Sequence, residues 1–169
     1  MRGEGEEARV GGNEGARTAT DMEKQHVYEV YEKIAPHFSN TRYKPWPEIV
    51  AYLNSLPSGS LVADVGCGNG KYLGVNKQLH MIGTDRSFNL IGCAKERDQS
   101  FQTFVADSLQ LPLRSNAFDA VISIAVVHHF SSTSLRVQAL SEMHRILRVG
   151  GSVLVYVWAY EQEHRKFAT

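Results

Sequence analysis

Cysteine, net charge and long apolar runs are all scarce in this chain. Its 169 residues contain only two cysteines, Cys67 and Cys93, and its 18 basic side chains are balanced by 18 acidic ones. Two cysteines build no disulfide framework and have no zinc-type spacing, so we expect a reducing compartment and no metal site. A formal net charge of zero excludes a global basic field that would attract nucleic acid.

Apolar stretches are also too short for a membrane span, and residues 1–19 lack the apolar core of a signal peptide. We therefore expect no membrane contact and a cytoplasmic location, with the nucleus as a second option. Residues 1–19 are rich in Gly, Glu and Arg and are predicted to form a disordered tail. The remaining residues 20–169 suit a single domain with an apolar core.

From residue 61 onward, short apolar runs alternate with helical patterns. We predict strands over 61–65, 80–84, 102–106, 118–124 and 152–157. Helices are expected over 20–35, from 47 to the turn at 57–59, from 70, over 89–97 and over 134–147, where Leu140, Met143 and Leu147 would form the buried stripe. Alternating strands and helices predict an α/β fold with a doubly wound parallel sheet.

The most informative motif, DVGCGNG, follows the first predicted strand over residues 64–70. Its alternate glycines let the backbone turn tightly and pass close beneath a ligand. A dinucleotide site would need its third glycine at position 71, where Lys71 stands instead. Asp64, Asp85 and Asp107 each fall at the end of a successive predicted strand. Parallel strands would bring these three acids to one edge of the sheet.

An acid followed by three alternate glycines resembles the first motif of the class I S-adenosylmethionine-dependent methyltransferases. The resemblance implies a Rossmann-like fold and that cofactor, with Asp64 near its ammonium group, Asp85 on the ribose hydroxyls and Asp107 at the adenine amino group. Each acid alone could equally be a turn residue. The cofactor-binding residues implied are Asp64, Gly66, Gly68, Gly70, Asp85, Arg86, Asp107, Ser108 and Leu109. Because this family normally adds two more strands, we expect a methyltransferase domain over 20–169 that is truncated after strand five.

Two histidines, His128 and His129, follow the fourth predicted strand. Enzymes that methylate the exocyclic amines of bases usually carry an Asn/Asp-Pro-Pro-Tyr/Phe motif here, and it is absent. A histidine pair is better suited to an oxygen acceptor. We expect His128 to be catalytic and His129 to bind substrate, although either could merely support the loop. Asp119 starts strand four, at the opposite end of the sheet, and is predicted to be structural.

Residues 23–28, 31–47 and 156–163 resemble the eukaryotic tRNA wobble-uridine methyltransferases, either stand-alone or fused to an AlkB-type hydroxylase. These enzymes esterify the carboxylate of 5-carboxymethyluridine. The resemblance implies tRNA and a small zinc-binding activator subunit as partners, and the apolar run 122–127 is compatible with the latter. Arg42 is expected to be catalytic and to hold the acceptor carboxylate or a neighbouring phosphate, although it could also be a solvated loop arginine.

Aromatic side chains near these segments complete the expected substrate site. Tyr43 is expected to stack on a flipped base, and Trp158 to form a wall of the pocket. Trp46 could also stack, but local core packing is the simpler interpretation. Two alternatives to the tRNA enzyme stay open: a methyltransferase for a small molecule such as a quinone or organic acid, and a truncated isoform that binds without turnover.

Overall fold

The computed structural model describes residues 30, 32, 33, 35 and 44–158. The predicted tail over 1–19, most of the predicted helix over 20–35, and residues 159–169 lie outside this part of the chain. So do Arg42 and Tyr43, whose predicted roles stay predictions. The described residues between 30 and 35 are helical, as the pattern indicated.

Five parallel strands form one sheet in the described part of the chain. They are β1 (Leu61–Val65), β2 (His80–Asp85), β3 (Gln102–Val105), β4 (Phe118–Ile124) and β5 (Leu147–Tyr156). The helices are α1 (Pro47–Ser55), α2 (Phe88–Arg97) and α3 (Thr133–Ile146), with a 3-10 helix over Val127–His129. The strand order is β3-β2-β1-β4-β5, with parallel pairing throughout. The predicted doubly wound fold is confirmed.

Alternating side chains of the central strands build a core on each face of the sheet. Ala63 and Val65 of β1 pack with Met143 of α3 on one face. Val62 packs with Ile49 of α1 on the other face. Strands buried on both faces need near-continuous apolar sequence, which explains why β1 and β4 could be recognised from the sequence.

The helix predicted from Gly70 is wrong. Residues 66–79 instead form successive turns, in which the amide of Gly70 donates to the Cys67 carbonyl and that of Leu73 to the Gly70 carbonyl. Gly68 and Gly70 both have positive φ, at 53° and 70°. A right-handed helix cannot begin through residues in this left-handed conformation.

Two details around β5 also correct the sequence interpretation. In α3 the buried side chains are Ala139, Met143 and Ile146, whereas Leu140 is 41% exposed and Leu147 already belongs to β5. Strand β5 thus begins before the predicted residue 152. Leu147 pairs with Phe118 and Ser152 with Ala120, so a bulge lies between these pairs. None of the helices described could cross a membrane, being too short or too polar.

Asp119 connects three strands at the amino end of the sheet, as its predicted structural role requires. Its Oδ2 accepts a hydrogen bond from the Leu61 amide at 2.7 Å. Its Oδ1 accepts one from Arg148 Nε at 2.5 Å, next to the β5 bulge. These two donors hold the pKa of Asp119 below its usual range. The carboxylate therefore fixes the start of β1 relative to β4 and β5.

We expect the substitution Asp119→Ala to lower the free energy of unfolding by about 1–3 kcal/mol, because the Leu61 amide loses its acceptor. The loss should shrink as the pH falls through the lowered pKa of Asp119, since the protonated wild-type side chain also loses these bonds. Urea unfolding measures both effects. Glu96→Ala, at an exposed position of α2, is the matched control and should stay within about 0.5 kcal/mol. Equal losses in the two variants would contradict the structural role.

Candidate active site

A crevice of about 880 Å³ opens where the strand order reverses, beyond the carboxyl ends of β1 and β4. This is where ligands bind in open α/β sheets, and its volume lies at the upper end of the usual range for ligand pockets. The predicted site residues that line it are Asp64, Gly66, Gly68, Asp85, Arg86, Asp107, Ser108, His128, His129 and Trp158. The structure thus brings most of the predicted site together.

Gly66 shapes the floor of the crevice by a close approach between two loops. Its φ is +82°, and a Cβ there would lie 2.2 Å from Cγ2 of Val126. Gly70 and Leu109 do not reach the crevice wall. A Cβ on Gly70 would meet Ala94 and Phe101, and Leu109 packs against the core on the α3 side. For these two residues the structure supports packing roles, and their cofactor contacts stay predictions.

The Asp85 carboxylate joins the glycine loop to the start of α2. Its Oδ2 accepts a hydrogen bond from the Gly68 amide and its Oδ1 one from the Ser87 amide, both at 2.9 Å. Burial raises the pKa of Asp85, although these amides and that of Arg86 oppose the rise. The side chain therefore supports the turn, as one interpretation of the sequence had it, and it also lines the crevice, while its contact with the ribose stays a prediction.

Asp107 and Arg86 form an ion pair on the crevice wall, with Arg86 Nη1 3.3 Å from Asp107 Oδ2. Both side chains are more than a third exposed, so solvent screens the pair and its contribution to stability is small. The other oxygen of Asp107 accepts a hydrogen bond from the Leu109 amide at 2.9 Å. Asp107 is thus fixed in orientation, and Arg86 is held beside it.

Asp64 is the most unusual group in the site. Its residue is 1% exposed, and Oδ2 has no hydrogen-bond partner in the part of the chain that the structure describes. Burial, followed by repulsion from Asp85, raises the pKa of Asp64 to about 7, although the charge of Lys71 opposes the rise. A buried carboxylate without a donor is costly. A ligand that brings a cationic donor into the crevice would satisfy this oxygen.

The two histidines lie side by side on the 3-10 helix after β4, with ring centroids 4.3 Å apart. Burial lowers the pKa of both rings. The pKa of His129 falls to about 4, because the neighbouring His128 adds to the effect of burial, although a hydrogen bond to the Ala125 backbone opposes it. His129 is therefore neutral at physiological pH. Neutral imidazoles can donate or accept a hydrogen bond without carrying charge into the crevice.

An aromatic wall closes the crevice on the side of α1. Trp46 lies 5.5 Å from Trp158 in an edge-to-face arrangement and 5.3 Å from Tyr156, between ring centroids. Trp158 is 51% exposed and lines the crevice, as predicted. Trp46 does so too while also packing on the core, so the core-packing interpretation is confirmed and its stacking on a base stays a prediction. Lys44 and Lys71 line the same region.

Several residues of the crevice were missed by sequence reasoning. Tyr72 resembles an ordinary core aromatic, and Val126 an ordinary apolar residue after a strand. Ala125 has a φ of +60°, which is rare for a residue with a Cβ and typical of functional sites. No sequence signal predicts a left-handed alanine. Among the described residues, no group of three or more His, Cys, Asp or Glu side chains is arranged to hold a metal ion.

The fold and the crevice define the class of this protein: a Rossmann-like α/β domain with acidic side chains at the switch point of its sheet. The chain belongs to the family described as "Methyltransferase domain", which matches residues 63–155. The class I methyltransferase fold predicted from the glycine motif is thereby confirmed. Enzymes of this fold class take their methyl group from S-adenosylmethionine, which confirms the predicted cofactor at the level of the family.

Curated relatives extend the match beyond the family core. The chain is 57% identical over 152 residues to the Mus musculus protein named tRNA (carboxymethyluridine(34)-5-O)-methyltransferase ALKBH8, covering 90% of this chain and 23% of that protein. It is 51% identical over 144 residues to the Saccharomyces cerevisiae protein named tRNA (carboxymethyluridine(34)-5-O)-methyltransferase, covering 85% of this chain and 52% of that protein. The chain thus spans about a quarter to half the length of these relatives.

Solved structures with lower identity support the fold alone. The phosphoethanolamine N-methyltransferase 1 of Haemonchus contortus, in complex with phosphoethanolamine and S-adenosylhomocysteine, superposes with a TM-score of 0.69 at 19% identity, covering 86% of this chain and 34% of that one. A putative methyltransferase in complex with the Haloferax volcanii Trm112 activator superposes with a TM-score of 0.64 at 21% identity, covering 76% of this chain and 57% of that one.

S-adenosylmethionine fits the residues present in the crevice. It carries an ammonium group, which could donate a hydrogen bond to the unpartnered Oδ2 of Asp64. It carries no phosphate, and the described glycine loop leads into turns and not into the helix N-terminus that phosphates prefer. The oriented carboxylates of Asp85 and Asp107 are acceptors suited to ribose hydroxyls and an exocyclic amine. The donor and acceptor set of the site therefore matches the cofactor of the family.

We expect the substitution Gly66→Ala to abolish cofactor binding and to destabilise the fold, because its Cβ would overlap Val126 in a backbone conformation unfavourable for alanine. Thermal unfolding and equilibrium binding of S-adenosylhomocysteine measure the two effects. Gly92→Ala is the matched control, since a Cβ at this helical position meets nothing within 4 Å. It should bind normally and gain about 0.5–1 kcal/mol of stability. Normal binding by Gly66→Ala would contradict the proposed loop geometry.

The raised pKa of Asp64 predicts pH-dependent binding of the cofactor. Because the ionised carboxylate is the form that accepts from an ammonium group, affinity should be highest just above about pH 7, where the ligand still carries that group, and fall by up to about tenfold per pH unit below pH 7. Asp64→Asn should bind weakly without this dependence. Calorimetric titration of the wild type and of Asp64→Asn with S-adenosylhomocysteine, at pH values on both sides of 7, measures the two affinities.

Asp64→Asn should weaken cofactor binding but raise the free energy of unfolding of the free protein. The raised pKa of Asp64 means that ionising it disfavours the folded state as the pH rises from about 4 to about 7. The free protein carrying the neutral variant should therefore be more stable than the wild type above pH 7, by about 1–2 kcal/mol. Asp98→Asn, at an exposed turn, should reproduce neither effect. A pH-independent affinity of the wild-type protein would contradict the role of Asp64.

Proposed function

We propose that this chain is the catalytic domain of an S-adenosylmethionine-dependent tRNA methyltransferase that esterifies the carboxylate of 5-carboxymethyluridine at the wobble position. The observation that carries the proposal is the identity of 51–57% to relatives named for this reaction, over 85–90% of the chain. The site is compatible with it, since the crevice is large enough for a cofactor and part of an acceptor.

The chemistry required by a carboxylate acceptor agrees with the residues of the crevice. When bound, S-adenosylmethionine supplies an electrophilic methyl group. A carboxylate is already ionised at neutral pH, so the protein needs no strong base, and the neutral His129 is not required to act as one. The task of the chain is to orient the acceptor and to exclude water.

Particular residues are proposed for this task. His128 is exposed at the crevice and is proposed to donate a hydrogen bond to an acceptor oxygen, with His129 fixing its position through their ring contact. Trp158 offers an open aromatic face on which a base could stack. Arg42 and Tyr43, outside the described residues, keep their proposed roles in holding the carboxylate and the base.

Two partners accompany the proposal. tRNA is the substrate implied by the names of the relatives, and Lys44 would add positive charge near the acceptor side of the crevice. A small zinc-binding activator is proposed by family resemblance. The run 122–127 does not offer it an apolar surface as suggested from the sequence, because Ile122, Ile124 and Val127 are buried in the chain's own core.

The proposal predicts that cells lacking the gene lose the methyl ester of 5-carboxymethyluridine from their tRNA and accumulate the free acid. Mass spectrometry of anticodon nucleosides measures both compounds. Re-expression of the complete protein should restore the ester, and a protein carrying Asp64→Asn should not. Unchanged ester levels would exclude the tRNA assignment and favour a small-molecule methyltransferase. Purified protein that binds cofactor but transfers no methyl group to the undermethylated tRNA would indicate a binding protein without turnover.

A further inference from the structure

Lys71 stands directly after the glycine loop and lines the crevice together with Asp64. Its Nζ lies 4.9 Å from the centroid of the Trp46 ring and 4.9 Å from that of the Tyr72 ring. Aromatic faces attract an ammonium group, and contacts on two rings restrict a side chain that otherwise has many rotamers. The positive charge of Lys71 therefore has a defined place in the wall of the crevice.

This charge acts on Asp64. Lys71 lowers the pKa of Asp64 against the larger rise caused by burial, so the two groups are close enough to interact electrostatically. Lys71 nevertheless leaves Oδ2 of Asp64 without a hydrogen bond, and no other described residue donates to it. The wall of the crevice thus presents a positive and a negative group near each other, and the negative one still needs a donor.

A neighbouring pair of opposite charges is complementary to a zwitterion. An amino acid carries its ammonium and carboxylate groups on one carbon, so a single ligand group can contact both charges of the wall at once. Charge-assisted hydrogen bonds of this kind are stronger than neutral ones. In S-adenosylmethionine only the methionine end has this character, because the adenine and the ribose are uncharged.

We propose that Lys71 binds the carboxylate of the methionine end of the cofactor while Asp64 binds its ammonium group. The inference rests on the proposed function for the identity of the ligand. It gives a physical reason for a lysine at the position where a dinucleotide-binding loop has its third glycine. It also makes Lys71 a cofactor-binding residue, and Lys44 is left as the crevice lysine on the side of the acceptor.

Calorimetric titration of the complete protein with S-adenosylmethionine and with its decarboxylated analogue tests the proposal without requiring turnover. The analogue keeps the ammonium group, so the ratio of the two dissociation constants isolates the contact with the carboxylate. Measurements at about pH 8.5 keep Asp64 ionised in every variant. In Lys71→Met we expect the preference for the carboxylated ligand to fall by about 10–100-fold relative to the wild type.

Two further variants complete the test. Lys44→Met removes an exposed lysine of the same crevice and should keep the wild-type preference. Lys71→Arg keeps the charge and should retain most of the preference, which distinguishes loss of a contact from misfolding. A preference unchanged in Lys71→Met would overturn the proposal. If the KM for tRNA also rose in that variant, Lys71 would instead be assigned to the acceptor.

The outcome is separable from that of the proposed function. If Lys71→Met loses the preference but the wild-type protein transfers no methyl group to tRNA, the tRNA assignment fails and the role of Lys71 stands. If the wild-type protein binds neither ligand, the cofactor assignment itself fails, and with it the role of Lys71.

Discussion

A buried carboxylate with one oxygen that has no hydrogen-bond donor is the constraint around which this site is built. Asp64 lies at the end of the central strand β1, paired to Gly83 of β2 and Ile122 of β4, and Oδ2 of its carboxylate has no hydrogen-bond partner among the described residues. Folding therefore places an acceptor without a donor at the point where the strand order of the sheet reverses. An unmet buried acceptor costs free energy, and a cationic ligand would relieve that cost.

The rest of the molecule keeps that acceptor in place and shapes the space around it. Gly66 lets the loop after β1 approach Val126 of the loop after β4, and Asp85 ties the glycine loop to α2 through two amides. At the opposite end of the sheet, Asp119 fixes β1 relative to β4 and β5. Stability and the proposed ligand binding thus rely on carboxylates at opposite ends of the same strands, with different partners and with pKa values shifted in opposite directions.

The fold could be predicted because its signals are local. Apolar runs at β1 and β4 and the acids that follow the strands specify a parallel sheet and the edge at which a ligand binds. Contacts between distant segments could not be predicted. Gly70 was expected to open a helix, but its left-handed backbone and its packing on Ala94 and Phe101 produce turns instead. The aromatic contacts of Lys71 and the strained Ala125 likewise depend on segments that only the folded chain brings together.

If a cofactor supplies the donor that Oδ2 of Asp64 lacks, its binding should convert Asp64 from an acid with a raised pKa to an ionised, hydrogen-bonded carboxylate. Carbon-13 NMR of labelled aspartate side chains, titrated in the free protein and with S-adenosylhomocysteine, measures this directly. We expect Asp64 to titrate with a pKa of about 7 in the free protein and with a pKa well below this value when the ligand is bound. A pKa near the ordinary value for aspartate in both states, with no change on binding, would contradict it.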